Sequence, residues 1–335
     1  MRIKNFYIHF TKRIFAALCC CLATMFAAAQ TEQVQLELLN GFPNNQMKTA
    51  VEQNVSGVLS SINQAFAQQT EPVFNRNFIS ETGINGINAM YSSAKFYCTK
   101  NKITATLNKI GGGYEIRGIP IHFFDAKEEE DDEIVIEVKA DGSVEDIYIA
   151  MAVHQLANIS VNNDVVSETQ KNIILHFIEA LRTAYVKKDM RFLEDAYSDK
   201  ALIIVGRKIT RTENSLSVSK DVNKEIYIGN TVYAKYSTEE YLSRLQQVFD
   251  KNEKIELKFS NIEVKQHEKK NLKNYYGVRL LQNWKASTYS DVGLLYFIIE
   301  FRENDNPLIW VRVWQDPKTD SLQQFWLGDY DIEQF

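Results

Sequence analysis

The order of elements in the second half of this 335-residue chain constrains its fold most. Apolar residues recur at three- and four-residue steps over 168–187, which predicts an amphipathic helix. A short helix at 190–197, an apolar strand at 201–205 and a third helix from about 238 follow. This order predicts an α+β fold in which helices pack on a curved antiparallel sheet. The predicted later strands lie at 255–266, 275–285, 291–302 and 308–315, with a further edge strand at 321–327.

The start of this half also carries a family resemblance. The run FIEALRTAY at 177–185 leads into FLEDAYSD at 192–199 and closes with ALIIV at 201–205. Over residues 168–335 the chain resembles the nuclear transport factor 2 superfamily. The resemblance implies a sheet that wraps around helices to form a cone with a pocket. It also implies that the convex sheet face can mediate dimers, and that enzymes, binding modules and scaffolds all use this fold.

The first half repeats the order in outline. A helix is predicted at 46–68 and a weaker one at 81–91, and a meander of strands follows. We therefore predict two tandem domains, 30–155 and 165–335, with the first a diverged relative of the second. The strands predicted in the first half lie at 95–98, 102–110, 114–124, 133–139 and 144–151.

The first 29 residues predict a cleavable signal peptide. Four basic residues precede an apolar stretch at 14–26, and Ala27-Ala28-Ala29 offers the small residues of a cleavage site. The apolar stretch is shorter than the roughly 20 residues that span a bilayer, so no membrane span is predicted. Cys19, Cys20 and Cys21 lack the preceding small residue of a lipoprotein site. We expect soluble export to the periplasm or the extracellular space rather than lipidation.

Charge and cysteine content exclude several functions. Cleavage after Ala29 would remove four positive charges from a chain of formal charge −5, leaving −9. An acidic chain is a poor candidate for nucleic-acid binding, which depends on basic residues. Only Cys98 would remain of four cysteines, so an internal disulfide is excluded. The histidines show no metal-ligand spacing, and no metal, cofactor or catalytic residue is predicted.

The run LIWVRVW at 308–314 is the strongest candidate site. In a regular strand Trp310, Arg312 and Trp314 share one face, where the guanidinium stacks between indoles. If that face lines the cone, Arg312 anchors an anionic or carbonyl-bearing ligand between aromatic walls. If it points outward, the row forms a dimer or domain interface, in which Trp and Arg are enriched. The hairpin register decides whether the row of Tyr296 or that of Phe297 lies opposite.

Catalytic members of the superfamily place an aspartate or histidine beside tyrosine or arginine inside the cone. Asp195, Tyr185 and Tyr296 are the site candidates here, but no spacing brings two such groups together. The other available polar residues are Tyr197, His267, Arg279 and Arg312. We therefore predict a non-catalytic exported binding or assembly module of the bacterial cell envelope, with a protein partner or self-association. The alternative is a protein that binds a small apolar ligand in the C-terminal cone, or an acid–base enzyme (isomerase, dehydratase or hydrolase type) that uses the same pocket.

Overall fold

A computed structural model describes residues 33–110, 112–124, 132–151, 160–161, 168–208, 225–228, 231–267, 269–301 and 307–318. The predicted signal peptide, the predicted edge strand at 321–327 and most of the polar stretch after 208 lie outside these residues. The described residues form helices packed on two sheets, which confirms the predicted α+β fold.

The elements of the first unit are β1 (Gln35–Asn40), α1 (Asn45–Gln68), α2 (Glu81–Ser93), β2 (Phe96–Cys98), β3 (Lys102–Ile110), β4 (Gly113–Phe123), β5 (Asp132–Val138) and β6 (Val144–Ile149). Its sheet has the strand order β1-β3-β4-β5-β6, and β2 pairs with the end of β4. Helix α1 follows the N-cap Asn44, whose side chain accepts from the Met47 N–H. One apolar stripe of α1, including Val51, Val55 and Leu59, is buried in the core.

Strand β1 was not predicted from the sequence. It is an edge strand, it runs parallel to β3, and only alternate residues such as Leu36 and Leu38 are buried. Polar side chains one helical turn apart on α1 accept its outward N–H groups: Ser56 from Leu36 at 2.9 Å and Glu52 from Leu38 at 2.7 Å. Helix α1 thus covers the open edge that β1 would otherwise present to solvent.

The elements of the second unit are β7 (Ser160–Val161), α3 (Glu168–Lys187), α4 (Met190–Ala196), β8 (Tyr197–Lys208), β9 (Glu225–Ile228), β10 (Thr231–Tyr236), α5 (Thr238–Lys251), β11 (Ile255–Gln266), β12 (Tyr275–Ala286), β13 (Ser290–Glu300) and β14 (Leu308–Gln315). Its sheet has the strand order β7-β11-β12-β13-β14-β8-β10-β9. This sheet is mixed rather than purely antiparallel, because β14 runs parallel to β8 and β11 runs parallel to β7. Helices α3, α4 and α5 contribute to the core on one face of the sheet.

Helix α3 is buried on two faces. Its apolar residues, such as Ile178 and Leu181, join one cluster of buried residues that extends through both sheets. A polar stripe at helical spacing turns toward the first sheet instead of solvent, because Thr183 accepts from the Ile149 N–H at 2.8 Å and Glu179 accepts from the Met151 N–H at 2.7 Å. Strand β6 is an edge strand, so these side chains of α3 cover its edge.

Three carboxylates line up across the first sheet. Glu115 pairs with Glu137, which in turn pairs with Asp146, on neighbouring strands. Like charges directly opposite one another destabilise an isolated sheet. Helix α3 supplies the compensating cations: His176 Nε2 lies 3.1 Å from Glu137 Oε1, and Lys187 Nζ lies 2.9 Å from Asp146 Oδ1.

Arg117 and Glu179 complete this contact between the units. The fully buried Glu179 carboxylate accepts from Arg117 Nη1 at 3.0 Å and from Nη2 at 2.7 Å. Arg117 Nε also donates to Glu115 at 2.8 Å. Although burial lowers the pKa of His176, the nearby carboxylates of Glu137 and Glu115 raise it to about 9. We call the set Glu115, Arg117, Glu137, Asp146, His176, Glu179 and Lys187 the clasp.

Candidate functional site

The register of the last hairpin turns Arg312 into the interior of the second unit. Arg312 pairs with Phe297 and Trp314 pairs with Leu295, and both partners belong to the core that the helices cover. Cross-strand partners share a sheet face, so Arg312 and Trp314 face the helices. Of the two faces considered from the sequence, this is the one that lines the cone.

The prediction that Trp310 shares this face is wrong. β14 has one extra residue at this point, because Ile298 pairs with Val311 whereas Ile299 pairs with Ile309. A bulge of this kind interrupts the alternation of side chains. The Trp310 indole N–H instead donates to Glu300 at 2.9 Å, on the opposite face of the sheet.

Tyr296 and Asp195 also lie away from Arg312. Tyr296 is buried in the smaller cluster on the other sheet face, with Ile298 and Val311, because the register places Phe297 opposite Arg312. Asp195 is exposed on α4, whose buried positions are taken by Leu193 and Ala196. Of the six candidates from the sequence, the structure brings together Arg312, Trp314 and Tyr185.

Three tyrosines surround the Arg312 guanidinium. Its Cζ lies 5.1 Å from the centre of the Tyr241 ring, a cation–π distance. The Tyr185 hydroxyl lies at the centre of a hydrogen-bonded trio, 2.8 Å from the hydroxyl of Tyr197 and 2.7 Å from that of Tyr241. Tyr241 was missed as a site residue, since it sits in an apolar helical pattern that indicates core packing, and Tyr197 was named only among the available polar residues.

Burial and the neighbouring side chains together set the pKa values of these groups. Burial lowers the pKa of Arg312, but the phenols of Tyr241, Tyr185 and Tyr197 outweigh it and raise the pKa above its ordinary value. Burial raises the pKa of Tyr185 and of Tyr197. At neutral pH the site therefore contains a permanent cation beside the neutral phenols of Tyr185 and Tyr197.

Arg312 has no counter-anion at ion-pair distance among the described residues. Its exposed fraction is only 7%, and its Nε and Nη1 atoms are buried without a hydrogen-bond partner in that part of the chain. The Trp314 indole nitrogen is also buried without a hydrogen-bond partner among the described residues. Buried donors that lack partners cost about 1–3 kcal/mol each, so the site is built for an acceptor that these residues do not supply.

One half-buried carboxylate lies near enough to Arg312 to feel its charge. Asp291 accepts from the Tyr289 hydroxyl at 2.7 Å, while its Oδ1 atom is buried without a partner among the described residues. Burial raises the pKa of Asp291, and the charge of Arg312 opposes that rise. Neither Asp291 nor Tyr289 was a candidate from the sequence, because their position depends on the pairing of β12 with β13.

The Trp314 indole forms an aromatic wall of the site. It lies against Gly206 and Gly293, where any added side-chain carbon would collide with its ring atoms. Tyr233 packs beside it with ring centres 6.5 Å apart, and Trp284 packs edge-on to Tyr185 at 6.0 Å. The glycines thus make room for an indole at the surface of the sheet.

Among the residues that the structure describes, no group of three His, Cys, Asp or Glu side chains is placed to hold a metal ion. The same residues contain no helix long and apolar enough to cross a membrane.

No protein-family model and no curated protein matches this chain. Three solved structures are similar to part of it: naphthalene 1,2-dioxygenase with indole bound in the active site, Bd1075 from Bdellovibrio bacteriovorus, and an NTF-2 like protein of unknown function from Shewanella oneidensis MR-1.

Their identities are 12%, 12% and 10%, and their TM-scores are 0.34, 0.32 and 0.28. They cover 50%, 68% and 43% of this chain, and 89%, 83% and 98% of their own chains. These scores are too low to support an argument about function. In the arrangement of its helices on one face of a long sheet, the C-terminal unit resembles the nuclear transport factor 2-like fold.

Proposed function

We propose that this chain is an exported binding protein whose C-terminal cone holds a small molecule through Arg312. The ligand class is a carboxylate or carbonyl on an aromatic or apolar body. The observation that carries the proposal is the buried Arg312 guanidinium, which has two unpartnered nitrogens and no described carboxylate at ion-pair distance.

The charge of Arg312 supports an anionic ligand. A buried ion is costly unless a partner neutralises it, and the phenols of Tyr185 and Tyr197 beside Arg312 carry no charge at neutral pH. A ligand carboxylate supplies the missing charge and forms charge-assisted hydrogen bonds, which are about twice as strong as neutral ones. The free N–H of Trp314 offers a further donor on the same side.

The aromatic walls support the apolar part of the ligand. Trp314, Trp284 and Tyr185 present ring surfaces within the same interior as Arg312. A planar or aromatic body buries its surface on such rings, in a site of the usual kind that combines apolar walls with few polar groups. The inward direction of Arg312 and Trp314 favours this function over an interface made by the same row.

Export is part of the proposal and rests on the basic and apolar pattern of the first 29 residues. Cleavage after Ala29 would give a mature chain that begins at Gln30, which intact-mass measurement of the exported protein tests directly. Action in the cell envelope and association with a protein partner or a second copy remain predictions of the sequence.

A second candidate function is acid–base catalysis by Asp291 on a molecule held by Arg312. The raised pKa of this half-buried carboxylate favours it, because a general base needs a pKa moved toward the working pH. Chromatography of bound ligand before and after long incubation separates the two functions. Unchanged ligand supports binding alone, and a product that Asp291→Asn fails to form supports catalysis.

Calorimetric titration of the mature chain with phenylacetate tests the proposed ligand class, with phenylethanol and phenethylamine as neutral and cationic matches. Arg312→Met keeps an unbranched apolar stem and removes the guanidinium with its charge. A charged hydrogen bond contributes about 1.5–3 kcal/mol, so affinity for phenylacetate should fall about 10- to 100-fold.

Arg244→Met is the matched control, since Arg244 is exposed and stacks on Tyr236 at 4.6 Å. This variant should bind phenylacetate as the unaltered chain does. Equal affinity of Arg312→Met, or equal binding of the three probes, would refute the anchor.

A further inference from the structure

A cavity of about 250 Å³ lies between the two sheets, and its lining does not include Arg312 or the tyrosines around it. On the first unit it is lined by residues where elements begin or end, including Asp132 at the start of β5 and Ile149 at the end of β6. On the second unit it is lined by 254–258 at β11 and by Lys285 of β12. The parallel pairing of β11 with β7 involves only Glu263 and Val264, so β7 does not cover this part of β11.

The cavity has an apolar floor and a cationic rim. Ile149, Val186 and Leu257 are among its apolar lining residues. Four cationic side chains line it against two acidic ones, although the chain as a whole carries a net charge of −5. The cations are Arg182, Lys254, Lys258 and Lys285, and the acids are Asp132 and Glu256. An excess of positive charge over an apolar floor fits an amphipathic anion.

Arg182 is a fixed part of the wall. Its Nε donates to the Leu257 carbonyl at 2.6 Å, and Nη1 donates to the Ala150 carbonyl at 3.0 Å. Nη2 lies 3.3 Å from Asp132 Oδ1, and burial lowers the pKa of Arg182. These bonds tie β11 to the first unit and occupy the guanidinium, so the rim lysines are the groups that meet a ligand.

Glu256 occupies the place of an anion between two of these lysines. Its Oε2 lies 2.6 Å from Lys285 Nζ, and its Oε1 lies 3.3 Å from Lys254 Nζ. Hydrogen bonds and charges from both lysines outweigh burial and lower the pKa of Glu256. An incoming carboxylate or phosphate at the rim has to compete with this side chain.

We propose that the interdomain cavity binds a medium-chain amphipathic anion, with its chain on the apolar floor and its headgroup at Lys254 and Lys285. A water-sized group takes about 30 Å³, so 250 Å³ holds about eight such groups. An unbranched fatty acid of about that length fills the cavity and leaves its carboxylate at the rim.

Titration of the mature chain with octanoate tests the site, with 1-octanol and octylamine as chain-matched neutral and cationic probes. Octanoate should bind more tightly than either. Glu256→Gln removes the competing carboxylate, and since an exposed pair contributes up to about 1 kcal/mol, affinity should rise about two- to five-fold. The double variant Lys254→Gln/Lys285→Gln should weaken octanoate binding by at least the same factor.

Two further variants locate the bound octanoate. Arg312→Met removes the anchor of the cone, and in this background octanoate should still bind and Glu256→Gln should still raise its affinity. Adding Ala94→Met, which extends a lining side chain into the cavity, should then abolish octanoate binding. Loss of binding in Arg312→Met with retention in Ala94→Met would place octanoate in the cone and overturn the proposal. No binding of octanoate, or equal binding of 1-octanol, would overturn it as well.

Discussion

Glu179 gives the sharpest test of how the two units are held together. Its carboxylate is fully buried and accepts three hydrogen bonds, two from Arg117 and one from the Met151 N–H. Glu179→Ala leaves a partly buried guanidinium and a backbone donor short of partners. Removing one partner of a buried pair costs about 3–5 kcal/mol, so we expect a loss of that size in the free energy of unfolding.

Glu179→Gln should cost less than Glu179→Ala. The amide keeps an oxygen for Met151 but turns an N–H₂ group toward the donors of Arg117, so about half of the loss is expected. Replacing both partners, in Arg117→Met/Glu179→Met, should cost less than the two single changes together. The reason is that the double variant leaves no buried charge without its partner.

Urea unfolding measures these differences with two probes. All four tryptophans lie in the second half of the chain, so their fluorescence reports the C-terminal unit while far-ultraviolet circular dichroism reports both. Glu263→Ala is the control, because Glu263 is 40% exposed and lies 3.6 Å from Arg279 in a surface pair worth at most about 1 kcal/mol. A cost of Glu179→Ala no greater than that of Glu263→Ala would refute the reasoning.

Two further predictions concern His176 and Gly293. The pKa of His176 is raised from 6.5 to about 9, so its charge stabilises the fold fully below pH 6.5 and not above about 9. The stability difference between the unaltered chain and His176→Gln should therefore shrink as pH rises through that window, and a constant difference would contradict it. Gly293→Ala displaces the Trp314 indole, and such overpacking costs about 1–3 kcal/mol. Thermal unfolding should show this loss but none for Gly112→Ala, where an added carbon meets nothing within 4 Å.

The long elements were predictable because their patterns extend over many residues. Helices α1 and α3 and strands β11 to β14 each show a clear period over eight residues or more. Strands β1, β9 and β10 were not predicted, since each has six residues or fewer and depends on a partner strand. A pattern this short does not distinguish a strand from a loop.

The site was only partly predictable, for two physical reasons. Trp310 left the predicted row because a bulge depends on the hairpin pairing and has no signature in the sequence of β14 alone. Glu179 and Lys187 were not identified from the sequence, because a polar stripe at helical spacing also describes a solvated helix face. Their role becomes visible only in the fold, where they face a row of carboxylates on strands that are distant from α3 in the sequence.

Because the clasp joins the two units, the binding experiments need a chain that contains both of them. Without the second unit, the first sheet presents Glu115, Glu137 and Asp146 side by side with no compensation from α3. Without the first unit, the buried Glu179 of the same helix becomes an exposed carboxylate, and the apolar core that both units share is opened. Helix α3 also carries Tyr185 into the cone and Val186 into the interdomain cavity. Because one helix supports the clasp and both candidate sites, a ligand titrated onto either unit alone would meet a site whose supporting helix had lost half of its contacts.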